Sequence, residues 1–146
     1  MKIAIVNGPN LNLLGRRNPQ VYGSTSMEQV LLDIQKTWFG TQFVYFQSNH
    51  EGALIDTIQQ LSEDNDCAGI VLNAGGYSHT SVALRDAVEY AGEQGLKVVE
   101  VHISDIYKRE SFRQVDLLTE TCARTIIGHG TNGYKEAIQF IIDSTR

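Results

Sequence analysis

Three stretches of the chain concentrate groups that can do acid–base chemistry. The first, residues 7–23, holds paired arginines, Arg16 and Arg17, and one tyrosine, Tyr22. A guanidinium beside a phenol favours the phenolate, and a phenolate is a general base. Paired guanidiniums also suit a lid over an anionic ligand. Taken alone, the same stretch fits equally well a mobile surface loop with solvated arginines. The second stretch, residues 73–81, places Asn73, two glycines, His79 and several hydroxyls after an apolar run and before a helix start. Backbone amides at such a junction favour anionic or carbonyl oxygens. The third begins His102-Ile103-Ser104-Asp105 and continues to Arg109, Glu110 and Arg113. Arg109 and Arg113 are four apart and would share one helical face. Local pairing with Glu110 or Asp116 is the plain alternative. Either histidine by itself is as readily structural. Two of them facing a loop with Arg and Tyr are harder to dismiss.

Elements must position these stretches, and the pattern alternates strands with helices. Residues 2–7 (KIAIVN) form a continuous apolar run, as a strand buried on both faces should. Residues 8–24 read as a long polar loop, well beyond the usual two to six residues of a βα connection. Thr25 or Ser26 can open a capping box with Glu28 or Gln29. Val30, Leu31, Ile34 and Trp38 then recur at helical spacing, residues 42–47 read as a second strand, and 51–63 as an amphipathic helix. Residues 68–72 are a third strand. Thr80 or Ser81 can cap a helix to about residue 93, closed by Gly95. Residues 96–102 are a fourth strand, 103–114 a polar loop with a short helix, and 125–128 a short fifth strand. The last helix spans about 133–142, and 115–124 shows no clear pattern.

Five strands alternating with helices imply an α/β fold, a doubly wound parallel sheet with helices on both faces. The flavodoxin-like order 2-1-3-4-5 fits the element count. Ligands of such sheets bind outside the carboxyl ends of the strands, where all three stretches begin.

Composition narrows the function. The chain has 146 residues, room for one domain (1–146), and a net charge of −5. Mild acidity argues against a nucleic acid or an anionic membrane as partner. Cys67 and Cys122 form no CxxC pair, so they are expected to be buried apolar residues in a reducing compartment. The N-terminal apolar run is too short for a signal peptide, which suggests a cytoplasmic protein. Gly128 to Gly133 matches GxGxxG, but only thirteen residues follow, so the strand and acidic residue of a dinucleotide fingerprint are missing. A tight turn opening the last helix is the expectation there. His50, His79, His102 and His129 are dispersed without HxH or HExxH spacing, so no metal site is expected. The first loop lacks the Ser/Thr-rich cradle of an FMN-binding flavodoxin. A noncatalytic module binding a small carboxylate stays open on these grounds.

The runs NGPNLNLLGRR-NP-VYG, LNAGGYSHTSVALRDA and EVHISDIYKRESFR, in this order and spacing, closely resemble type II 3-dehydroquinate dehydratases, and the similarity extends to Gly133-Tyr134. The resemblance implies a flavodoxin-like fold, a single dehydroquinase-like domain with a lid at about 16–24, and a dodecamer built as a tetramer of trimers. It implies anti elimination of water from 3-dehydroquinate to 3-dehydroshikimate through an enolate, without metal or organic cofactor. The reaction serves the shikimate pathway of aromatic amino acid biosynthesis or quinate breakdown. By motif matching, Tyr22 is the base, Arg17 the lid arginine that favours the tyrosinate, Asn10 the holder of a water near the enolate oxygen, and His102 the acid. Asn73, His79, Ile103, Ser104 and Arg113 match substrate contacts, and Asp86 matches an aspartate that reaches a neighbouring subunit's site. The chain departs from the pattern at Asn18, usually acidic in the family. It departs again over residues 115–124, where Asp116, Glu120 and Arg124 interrupt a usually small, hydrophobic pattern.

Overall fold

The computed structural model describes residues 1–145. Strands β1 (Lys2–Asn7), β2 (Gln42–Gln47), β3 (Cys67–Asn73), β4 (Lys97–His102) and β5 (Arg124–Ile127) form one parallel sheet in the order β2-β1-β3-β4-β5. The principal helices are α2 (Met27–Thr37), α3 (Glu51–Ser62), α4 (Val82–Glu93) and α5 (Asn132–Ser144), and a one-turn α1 (Pro19–Tyr22) lies in the first loop.

Alternation along the strands explains the two cores. Ile3, Ile5, Val71, Val99 and Val101 point to one face and pack with Val30 and Ile34 of α2 and Ala137, Ile138 and Ile141 of α5. Ala4, Val6, Ile70, Leu72 and Val98 point to the other and pack with Leu54 and Ile58 of α3 and Leu84, Val88 and Ala91 of α4. The helices start where the sequence indicated. Ser26 and Gln29 form a reciprocal capping box on α2, and the Ser81 hydroxyl accepts from the Leu84 amide on α4. Gly95 takes φ +86° just beyond α4.

Several boundaries differ from the sequence reading. Residues 8–24 are not one open loop. They hold a 3-10 turn at Leu11–Leu13 and then α1, where Pro19 is the first residue and the Asn18 side chain accepts from the Gln20 amide. Asn18 therefore keeps the cap that starts α1. Residues 103–114 contain two separate 3-10 turns, Ile106–Lys108 and Ser111–Gln114. Arg109 and Arg113 consequently do not share a helical face. Residues 115–124 contain a 3-10 turn at Thr119–Thr121 and the first residue of β5. The last helix is longer than its apolar spacing indicated, Asn132–Ser144. Cys67 is buried and Cys122 half-buried, and both thiols are free. No helix among the described residues is long and apolar enough to cross a membrane.

The loops that carry chemistry are pressed together at the carboxyl ends of the strands. Asn7 and Asn73 are paired in register at the ends of β1 and β3. The Gly8 amide donates to the Asn73 carbonyl at 2.7 Å. A Cβ on Gly8 would come within 2.4 Å of the Ala74 carbonyl oxygen, so only glycine lets the first and second loops touch there.

Candidate active site

Beneath this junction lies a buried polar network that fixes the sheet's rim. The Tyr134 hydroxyl, on α5, donates to Asn7 Oδ1 at 2.8 Å and accepts from Asn73 Nδ2 at 3.0 Å. Burial pushes the Tyr134 phenol up, so it stays neutral and serves as a bridge. Asn73 Oδ1 accepts from the Gly75 amide. The network holds the start of the second loop in place and leaves Asn73 one amide hydrogen and one oxygen lone pair for the cavity it lines.

Above the network is one cavity of about 130 Å³, a size that suits a small polar molecule. Pro9 and Asn10 from the first loop, Arg17 and Tyr22 from around α1, and Gly75, Gly76 and His79 from the second loop line it. His102, Ile103, Ser104, Arg109 and Arg113 complete the opposite wall. Its lining holds three arginines and no carboxylate, in a chain whose net charge is −5. The cavity field therefore favours an anion. No lysine lines it, which leaves no amine for a Schiff base.

Tyr22 occupies one wall. The Arg17 guanidinium carbon lies 4.2 Å from its ring centroid and that of Arg109 lies 5.3 Å away, so two cations flank one phenol. Arg109 is anchored by donating from Nη1 to Ser104 Oγ at 3.3 Å. Arg113 donates from Nε to Glu110 at 2.5 Å, which holds the Glu110 carboxyl below its usual range.

His102 occupies the opposite wall and is buried. Its Nε2 lies 2.6 Å from Glu100 Oε2 and 3.1 Å from Asp116 Oδ2. Glu100 Oε1 accepts from the Thr119 and Thr125 hydroxyls, both at 3.1 Å, and Asp116 Oδ1 accepts from the Leu118 amide at 2.9 Å. Each of the four carboxylate oxygens thus has a hydrogen-bonding partner. Burial alone would lower the imidazole, but its hydrogen bonds to Asp116 and Glu100 and their charges push it up to about 9. Burial also raises Glu100, to about 7, against the pull of His102. Asp116 is held well below the usual carboxylate range despite its burial, by its bonds to His102 and Glu100. The His79 ring lies 6.1 Å from that of His102, and its Nδ1 donates to the Val115 carbonyl at 2.7 Å. That bond leaves His79 Nε2 as the other ring nitrogen available to the cavity.

The model of the class II dehydroquinase family matches residues 1–142. The chain belongs to this family. A 3-dehydroquinate dehydratase of Campylobacter jejuni subsp. doylei is 43% identical over 144 residues, covering 97% of this chain and 87% of that protein. A catabolic 3-dehydroquinase of Pyricularia oryzae is 42% identical over 145 residues, covering 95% of this chain and 88% of that protein. The crystal structure of a type II dehydroquinase from Butyrivibrio crossotus superposes with a TM-score of 0.91 at 40% identity, covering 97% of each chain.

Within this family member, nine residues singled out from the sequence line the one cavity: Asn10, Arg17, Tyr22, Asn73, His79, His102, Ile103, Ser104 and Arg113. Two do not. Arg16 is exposed outside the cavity, and Asp86 is exposed on α4. Three residues beside Tyr22 or His102 escape the sequence reading as site residues. Arg109 had been considered only as a companion of Arg113. Glu100 sits two residues before His102 on β4, so strand periodicity puts both on one face and was the available signal. Asp116 had no signal, because the segment carrying it has no periodic pattern.

Proposed function

We propose that this chain dehydrates 3-dehydroquinate to 3-dehydroshikimate, as a type II enzyme. The observation that carries the proposal is the opposition, across one cationic cavity, of a phenol flanked by two guanidiniums and a histidine backed by two carboxylates. Elimination next to a ketone needs a base, a stabiliser for the enolate and an acid for the departing hydroxyl. Tyr22, as phenolate, takes the proton from the carbon beside the ketone. The electron pair moves into the enolate, whose oxygen is served by Asn10 through a water and by the positive field of Arg17. Collapse of the enolate expels the hydroxyl on the neighbouring carbon. His102 protonates it to water through Nδ1, because Nε2 is committed to the carboxylates. The substrate carboxylate is bound by the backbone amides of Ile103 and Ser104 and by Arg113, with Asn73 and His79 on the ring hydroxyls.

Residues 16–24 act as the lid, so α1 carries the base into place as the lid closes. Asp86 lies outside the cavity of its own chain, which fits a role at a neighbour's site. The active form is then at least a trimer, and the proposed assembly is a dodecamer of four trimers. The proposed location is the cytoplasm, and the proposed pathway is aromatic biosynthesis or quinate breakdown.

The test is ultraviolet absorbance of the conjugated enone after adding 3-dehydroquinate to folded protein. Rising absorbance is expected, and a flat trace overturns the dehydratase in favour of a noncatalytic carboxylate-binding module. Borohydride added with substrate should leave activity intact. A substrate adduct reduced onto any lysine would replace the enolate route with Schiff-base chemistry.

A further inference from the structure

Asp116 enters the acid end of the site from outside the sheet. Glu100 and His102 reach each other because they are neighbours on one face of β4. Asp116 instead lies in the segment that departs from the family's small, hydrophobic pattern, and three consecutive residues there each grip the site. The Val115 carbonyl accepts from His79 Nδ1 at 2.7 Å. Asp116 Oδ2 meets His102 Nε2 at 3.1 Å. The Leu117 amide donates to the Ser78 carbonyl at 2.8 Å, and its carbonyl accepts from Arg85 at 2.6 Å. Residues 115–117 thus form a strap that ties α4 and the second loop to both histidines.

The charges around His102 give the strap a purpose. Two fully ionised carboxylates against one imidazolium would leave a net negative charge in a dry pocket, which is costly. Holding one further proton on the carboxylate pair removes that charge and keeps the imidazolium. The other groups facing the cluster are neutral or cationic. His79 comes from the second loop, Thr119 and Thr125 from the turn before β5 and from β5, and Arg109 and Arg113 from the cavity. Cys122 adds a thiol kept neutral by burial and by the charges of Glu100 and Asp116.

Resting on the dehydratase reading, we propose that Asp116 is a positioning residue that, together with Glu100, stores a second proton behind His102. It holds the ring with Nδ1 toward the cavity and keeps it a charged acid under alkaline conditions.

The experiment compares the wild-type assembled protein with Asp116→Asn, which keeps the shape and an oxygen for the Leu118 amide, and with Asp116→Ser. Turnover of 3-dehydroquinate is followed from pH 6 to 10. Loss of a close carboxylate should move the alkaline limb of kcat to lower pH by about one unit, so that the deficit against wild type widens about tenfold between pH 6.5 and 9. KM should change less than about twofold, since Asp116 does not touch substrate. A deficit equal at every pH, or carried by KM, overturns the proposal and makes Asp116 structural. The second readout needs no activity: the His102 ring signals are titrated by NMR in both proteins. A titration midpoint lowered in Asp116→Asn supports the proposal, and coincident midpoints overturn it. If the wild type forms no enone, the dehydratase reading fails and the NMR titration still decides the role of Asp116. If Asp116→Asn does not fold, Asp116→Ser is judged by the same two measurements.

Discussion

The two walls of the cavity solve opposite problems by opposite means. Tyr22 sits half-exposed on a four-residue helix in a loop, flanked by guanidiniums that are themselves near solvent. His102 ends a central strand, is 5% exposed, and is fixed by carboxylates, threonines and a strap. In the proposed reaction the base must meet a substrate that comes and goes, and Tyr22 stands on a short helix in a loop with two cations beside it. In the proposed reaction the acid must hold its proton until the hydroxyl departs, and His102 is buried among acceptors that favour the charged ring. Exposure at one wall and burial at the other fit the protonation state each group would have to protect.

Removing the base tests the contrast hardest. Tyr22→Phe keeps the ring and its contacts with Arg17 and Arg109 but deletes the proton acceptor. Turnover should fall by about 10²-fold or more with substrate binding retained, and raising the pH should restore nothing. Near-normal turnover would show that the base lies elsewhere.

Removing the cation beside the base should cost less. Arg17→Ala leaves the phenol and Arg109 in place, so turnover should fall by less than in Tyr22→Phe. The loss should be carried by kcat, with KM changed less, because Arg17 lies beside the Tyr22 ring. A deficit carried by KM alone would assign Arg17 to substrate binding.

A smaller effect is expected at the residue outside the cavity. Asp86→Ala should raise KM several-fold without changing the melting temperature, and the active species should sediment as a trimer or larger. Full activity in a stable monomer would remove Asp86 from the site.

The buried wall also predicts how stability depends on pH. In the folded chain Glu100 is raised to about 7 from an ordinary 4.5 and His102 to about 9 from 6.5, so both hold protons that the unfolded chain has released. Their contribution is complete below the unfolded values and is lost as pH rises through 7 and 9. Asp116 has the opposite sign: its contribution is complete above its ordinary 3.8 and is lost on acidification. The melting midpoint should therefore be highest near pH 5 and fall by several degrees towards pH 9. The decline should be shallower in Asp116→Asn. A midpoint that rises from pH 5 to 9 would contradict the proton store.

Much of the molecule was legible before any coordinates. Continuous apolar strands, capped amphipathic helices and their alternation determine a doubly wound sheet, because each such element can bury its surface in few ways. The same order puts the chemistry-bearing loops at one edge, so the paired arginines, Tyr22, His79 and His102 are expected as neighbours, while the choice of Arg17 and Arg113 comes from the family resemblance. Only the tertiary structure decided what each one touches. Arg109 reaches Tyr22 because the chain breaks into two turns between Ile103 and Arg113 instead of one helix, a choice made by packing and not by periodicity. Asp86 faces away from its own cavity because the register of α4 on the sheet turns that face to solvent. Asp116 meets His102 across fourteen residues of irregular chain. Strand and helix periodicity is written in local sequence, whereas an irregular segment takes its place from the hydrogen bonds it finds elsewhere, here on Ser78, His79 and Arg85.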